Sequence, residues 1–146
     1  SKLHDNGEMD IKTKGVKIFR ILEVIKDVPE KLYSGAIVTY PDNYEQGSGD
    51  IMRTILKGIR ELHQLLKISK DFKKEEADIK SYDVAHHIGL SPEEEYELLA
   101  LFHERQRQEY LRLHLSKVIP MLAGMEQLKE KIKLNGHFKN LGGVDL

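Results

Sequence analysis

SYDVAHHIGLSPEEEYELLALFHERQRQEYLRLHL, residues 81–115, is the stretch that decides the fold. It reads as a short helix, a break, a capped second helix and the start of a long third one. Ser81 is a candidate N-cap, because a serine oxygen can accept from a free N–H of the first turn. Gly89 stands where a helix-ending residue in the left-handed conformation belongs. Ser91, Pro92 and Glu94 form a start signal in which the serine caps, the proline takes the first helical position and the glutamate closes a capping box. From Glu104 onward, Leu111, Leu115, Val118, Leu122, Met125, Leu128 and Ile132 line one side of a helix expected to reach Leu134. Pro120 falls in its interior, and Asn135-Gly136 is its expected stop.

Upstream of this stretch the pattern changes from helix to strand. Met9, Ile11 and Thr13 alternate with Asp10, Lys12 and Lys14, the two-residue period of a half-buried strand. After Gly15, Val16 to Ile25 is rich in β-branched and aromatic residues. Asp27 to Lys31 with Pro29 reads as a turn, and Leu32 to Tyr40 is a third apolar run. Three strands of a mostly antiparallel sheet are expected. Asp42 to Gly49 is a polar loop, and Ile51, Ile55, Ile59, Leu62 and Leu66 then fall on one helical stripe. Ser69 to Asp78 is a charged connector. The expected class is α+β, with strands in residues 1–41 and a helical bundle in residues 42–146, together one domain. There is no internal repeat and no low-complexity segment.

The chain has 146 residues, enough to bury a real core, and 23 basic side chains nearly balance 24 acidic ones. No basic half or acidic tail stands out. A nucleic-acid or anionic-membrane surface, which needs clustered positive charge, is therefore not expected. With no cysteine, disulfide scaffolds, thiol catalysis and cysteine-ligated zinc are excluded. That composition suits the cytoplasm. No apolar run approaches the roughly 20 residues of a membrane span.

Candidate catalytic patterns dissolve on inspection. His103-Glu104 opens like a zinc-protease helix, but Arg107 stands where the second histidine is needed. His86 and His87 are adjacent and point about 100° apart on a helix. His63, His114 and His137 are scattered, so all of these histidines are read as surface or interfacial and no metal is expected. Glu93-Glu94-Glu95 occupy a helix first turn, where the dipole favours negative charge. Gly47-Ser48-Gly49 lacks the lysine and spacing of a phosphate-binding loop and reads as a flexible connector. No serine sits in a G-x-S-x-G setting. Tyr33, Tyr40 and Tyr44 flank the junction between strands and helices, and tyrosine suits a surface that grips apolar segments while staying soluble. For Tyr33, packing on the sheet fits better still.

The helical stretch resembles the helical part of the substrate-binding domain at the N-terminus of Lon proteases. In that family an A-H-x-L-x-L-x-x-E-E helix pair leads through a double leucine to an R-L-x-x-L helix. The matching residues here are Ala85, His86, Ile88, Leu90, Glu94, Glu95, Leu98, Leu99, Arg107 and Leu111. The family's D-G-x-L-x-V-x-x-x-G-x-x-R-F-R-I run is similar to Asn6-Gly7-Glu8-Met9-Asp10-Ile11 followed by Gly15-Val16-Lys17-Ile18-Phe19-Arg20-Ile21. The likeness runs from Gly7 to Ile132. It implies a small PUA-like β-lobe followed by a helical bundle, and a role in capturing unfolded or tagged polypeptides for an ATPase and a serine–lysine protease module. This sequence contains neither module, so no enzymatic activity and no cofactor are expected of it.

Two departures from the family pattern shape further expectations. The family's opening L-P-L-F-P-L strand has no counterpart here. A trimmed lobe with unpaired edges is therefore expected to pair with a second copy or swap strands. The stop at Asn135-Gly136 favours a stand-alone bacterial Lon-domain protein over a piece of a protease. Unfolded or extended polypeptides are the expected partners, with Tyr33, Tyr40 and Tyr44 as the candidate binding residues. The alternative is a structural or regulatory domain that docks one folded partner through its long helix, using a second apolar stripe of Tyr110, Leu113 and Ile119.

Overall fold

The computed structural model describes residues 2–69, 72 and 74–141, with 135–141 described by backbone alone. It divides into two compact units, Ser1–Asp42 and Asn43–Leu146. The class is α+β, with small antiparallel sheets in the first unit and helices, including a long C-terminal one, in the second.

The first unit holds two separate hairpins, not one three-stranded sheet. Strand β1, Lys2–Leu3, pairs with β2, Met9–Asp10, around a turn in which Gly7 takes a positive φ of 83°. Strand β3, Arg20–Ile25, pairs with β4, Gly35–Thr39. The alternating run expected to continue from Met9 through Thr13 stops after Asp10, and the strand expected from Val16 begins only at Arg20. Among the described residues no third strand lies beside either hairpin. Ile11 and Val16 stand exposed in the segment between them. Alternation marks a chain suited to a sheet, but a strand exists only where a neighbour takes up its backbone hydrogen bonds.

The second unit is built on α1, Gly49–Leu66, and α4, Glu104–Leu141. Ser48 caps α1 by accepting from the Ile51 N–H, and Asp50 adds negative charge to the first turn. Lys67 closes the helix in the left-handed conformation at φ 55°. The Ile68 N–H then reaches back to the His63 carbonyl at 2.9 Å, which satisfies one of the final orphan acceptors. Met52, Ile55, Leu56, Ile59 and Leu62 of α1 meet Val84, Ile88, Leu98, Leu111 and Leu115 in a single buried cluster. Each such side chain contributes roughly 1.5–3 kcal/mol when fully buried. Ser48 bonds to Gln108, and a Cβ placed on Gly58 would lie 3.2 Å from Leu115 and 3.5 Å from Ile119. The two helices therefore run side by side in the same direction.

Between them lie a 3₁₀ turn at Glu76–Asp78, helix α2 at Ser81–Val84, a 3₁₀ turn at Ala85–His87, and helix α3 at Pro92–Leu99. Gly89 has φ 71°, the left-handed break its position called for. The capping box forms in full, with Ser91 Oγ accepting from the Glu94 N–H at 3.2 Å and the Glu94 carboxylate accepting from the Ser91 N–H at 2.8 Å. Ser81 does not cap α2. It is the first helical residue, and the Asp83 carboxylate takes the capping role by accepting from the Lys80 N–H at 2.9 Å. The Ser81 hydroxyl turns inward and donates to the buried Glu104 carboxylate, a charge-assisted bond, instead of accepting from the free N–H groups of the helix start.

Helix α4 runs through Pro120 and through the expected stop at Asn135-Gly136 to Leu141. Its 38 residues make it about 57 Å long. The second apolar stripe expected on it does not form as such. Tyr110 and Ile119 pack against the core, and the Tyr110 hydroxyl donates to Glu97 at 2.8 Å. Burial first, and then that bond, push the tyrosine pKa up to about 12. Leu113 alone of the three is largely exposed.

Candidate functional site

The β3–β4 hairpin presents the clearest candidate surface. Its register pairs Ile21 with Val38, then shifts so that Glu23 faces Ile37 and Val24 faces Ala36. Leu22 is the extra residue of a β-bulge. Paired residues share a face of a ribbon, so the bulge gathers Ile21, Val24, Ala36 and Val38 on one side. That face is wholly aliphatic. Arg20, Glu23, Ile25, Ile37 and Thr39 make up the other side. Ile21 is 54% exposed and Val24 60% exposed, so the aliphatic face meets solvent. At the open end of the ribbon Phe19 and Tyr40 stack edge to face at 6.3 Å, with the Lys17 ammonium 5.7 Å from the Tyr40 ring centre. At the turn a shallow hollow of about 200 Å³ is lined by Lys26, Val28 and Tyr33 among others.

The three tyrosines singled out in the sequence are each more than half exposed. Tyr33 and Tyr40 do not share a patch on the ribbon. Tyr33 lies at the turn of the ribbon and Tyr40 at its opposite end, separated by the length of β4. Tyr33 is thus not packed on a sheet. Tyr44 belongs to the helical unit, where it stacks on His103 with ring centres 4.5 Å apart. Its N–H donates to the Phe102 carbonyl, and its own carbonyl accepts from the Glu104 N–H. Sequence reasoning missed Ile21, Val24, Ala36 and Val38 as a group. Strict alternation places Ile21 with Glu23, and only the bulge puts it with Val24.

A buried polar cluster in the helical unit has the residue types of a catalytic site. Glu104 and Arg107 are each only 1% exposed. Glu104 Oε1 accepts from the Ser81 N–H at 2.8 Å and from Ser81 Oγ at 2.9 Å. Glu104 Oε2 faces both Arg107 Nε and Nη2 at 3.0 Å. Arg107 Nη1 donates to Asn43 Oδ1 and to the Leu101 carbonyl, both at 2.8 Å, and the guanidinium lies 4.6 Å from the Tyr82 ring centre. Both carboxylate oxygens are engaged, and the serine hydroxyl donates to this engaged carboxylate. The cluster ties the residue 43–48 segment and α2 to the first turn of α4. Gly47 shows how tight the join is, since a Cβ there would come within 2.5 Å of Gln108 and 2.8 Å of Glu104. The Gly47-Ser48-Gly49 loop is therefore clamped in place and is no loose connector.

The histidines, read as surface or interfacial, divide between the two settings. His63 is buried, with Nε2 at 3.3 Å from the His87 carbonyl. The His114 side chain is largely covered, with Nε2 at 3.1 Å from the Ile88 carbonyl and Nδ1 at 3.2 Å from Glu94. Two interior histidines, one from α1 and one from α4, thus meet the carbonyls that end the short helical stretch before Gly89. His86 is exposed and pairs with Glu95 at 2.9 Å. The side chain of His137 lies outside the described residues. Among the described residues, no three His, Asp or Glu side chains converge as a metal site, and no helix is long and apolar enough to cross a membrane. No family model, curated protein or solved structure matches this chain.

Proposed function

We propose that this chain is a non-catalytic polypeptide-binding module of the Lon substrate-recognition type, which holds unfolded or extended segments for ATP-dependent proteolysis in the cytoplasm. The observation that carries the reading is the exposed aliphatic face of the β3–β4 ribbon. Among the described residues no further strand lies beside this two-stranded ribbon, and a sheet edge is a template for an added strand. An extended client joins an edge through main-chain hydrogen bonds and lays alternate apolar side chains on Ile21, Val24, Ala36 and Val38. Such contacts demand little sequence specificity, which suits capture of varied unfolded chains. The family resemblance of residues 15–21 and of the capped helix pair supports the same reading.

The test is fluorescence anisotropy of a labelled, permanently unfolded protein titrated with the full chain. Saturable binding competed by other unfolded chains, but not by folded ones, is expected. Few side chains contribute, so micromolar or weaker affinity is expected. Ile21→Lys and Val24→Lys sit at exposed positions, so they should abolish binding while leaving the helical circular dichroism unchanged. Binding that survives both substitutions, or no binding by the parent chain, would overturn the reading.

A further inference from the structure

The near-balance of charge over the whole chain conceals one local run. Residues 11–20, IKTKGVKIFR, carry Lys12, Lys14, Lys17 and Arg20 and no acidic side chain. The segment before Arg20 is neither helix nor strand, and its three lysines are exposed. Among the described residues none of the three joins an ion pair. Asp10, just before the run, is taken up by His4 at 2.9 Å. Lys17 lies over the Tyr40 ring, a contact that leaves its charge in place. The run leads directly into β3, with Lys17 three residues before Arg20. Lys14 and Lys12 stand at most roughly 11 and 18 Å further back along the chain. Asp42, three residues past β4, is set against these four cations. At the turn of the ribbon, by contrast, Lys26 and Lys31 have Asp27 and Glu30 beside them in sequence. One end of the ribbon is therefore cationic and the other balanced.

We propose that the clients this ribbon prefers are extended polypeptide segments whose aliphatic stretch is flanked by aspartate or glutamate. Resting on the polypeptide-binding reading above, this adds charge to apolar contact as a second criterion. Strand β4 occupies one edge of β3, and among the described residues no strand occupies the other. A segment added there lays apolar side chains beside Ile21 and Val24, and its continuation past Arg20 runs along Lys17, Lys14 and Lys12. Neighbouring strands lie about 4.8 Å apart, within reach of an ammonium on its flexible four-carbon stem. A carboxylate on that continuation meets cations that no acid of this chain neutralises, and a basic flank meets like charge and is rejected. A nucleic acid fits less well, because its bases need ring faces on which to stack. The Tyr40 ring is already engaged by Lys17 and Phe19, and the surface next to it is the aliphatic face of a strand pair.

The experiment titrates three labelled peptides with the full chain and follows their anisotropy. All share one alternating valine–threonine stretch, and its flanks are glutamate, serine or lysine. Affinity is expected to fall in that order. The glutamate peptide should bind on the order of fivefold or more tighter than the lysine peptide at low salt, with the gap closing as salt is added. Lys12→Glu, Lys14→Glu and Lys17→Glu together should invert the order, and an inverted order also shows that the ribbon is still folded. Ile21→Ser with Val24→Ser, which changes no charge, should weaken all three peptides. Equal binding of the three, still lost in the double serine variant, overturns the charge criterion and leaves the polypeptide-binding reading standing. No binding of any peptide at high micromolar concentration, or binding of the glutamate peptide that the double serine variant does not weaken, overturns both. A single-stranded oligonucleotide that displaces the glutamate peptide more effectively than the same peptide unlabelled also overturns the proposal, because the lysines then serve phosphates.

Discussion

Arg107→Met is the sharpest probe of how the helical unit is held together. The arginine is 1% exposed and faces one oxygen of an equally buried Glu104 through two nitrogens at 3.0 Å. Methionine fills much of the same volume but leaves the Glu104 charge with only the two Ser81 donors. Breaking a buried ion pair from one side costs about 3–5 kcal/mol. The Leu101 carbonyl also loses its donor from Arg107 Nη1, which adds up to about 1–3 kcal/mol if no water replaces it. The expected loss is about 4 kcal/mol, a large share of the roughly 5–15 kcal/mol that holds a domain folded. For a chain of this size that corresponds to a fall in Tm of roughly 8–16 °C. Urea denaturation followed by far-ultraviolet circular dichroism reads it directly. Glu104→Leu combined with Arg107→Met should cost less than the two single changes added together, because neither charge is then stranded. A loss below about 1 kcal/mol for Arg107→Met, or strict additivity in the cycle, would refute the reasoning.

Gly89→Ala should lower stability by about 1–2 kcal/mol through backbone strain alone, since a Cβ at φ 71° meets no atom within 4 Å. Gly89→Asn should cost less, and equal thermal midpoints for glycine and alanine would mean that the left-handed break is not enforced. The Ser91 N–H holds the Glu94 carboxyl below its ordinary 4.5, against a smaller opposing effect of burial and with help from His114. A carboxylate with a lowered folded pKa stabilises above its unfolded value and loses that contribution as pH falls through the folded one. Glu94→Gln should therefore be less stable than the parent above pH 4.5, with the gap closing below it. A gap that stays constant across that range in denaturant titrations would count against the capping-box account.

The helical half was readable because its signals are local. Ser91, Pro92, Glu94 and Gly89 act within one turn of themselves, and the structure places each as its chemistry requires. Ser81 was misread because its true partner, Glu104, is 23 residues away in sequence. The bond of Arg107 to Asn43, which spans 64 residues, is likewise beyond the reach of local pattern. The strand half was readable only as propensity. Alternation in Met9–Thr13 could not say whether a neighbouring strand exists, and the bulge at Leu22 reset the faces of β3. Asn135-Gly136 failed as a stop because a helix continues through weak formers where nothing opposes it, at a cost of only about 1 kcal/mol for the glycine.

The two units differ in a way that bears on function. Residues 43–134 bury their own aliphatic cluster and engage the polar groups of Ser81, Glu104 and Arg107 among themselves. The ribbon has no such interior, since its aliphatic face looks into solvent and, among the described residues, no further strand lies beside it. A surface of that kind on an element that also closed the core would be occupied, because burying it would add to stability. The helical unit keeps its own core, so a segment added to the ribbon would leave the buried aliphatic cluster of that unit intact.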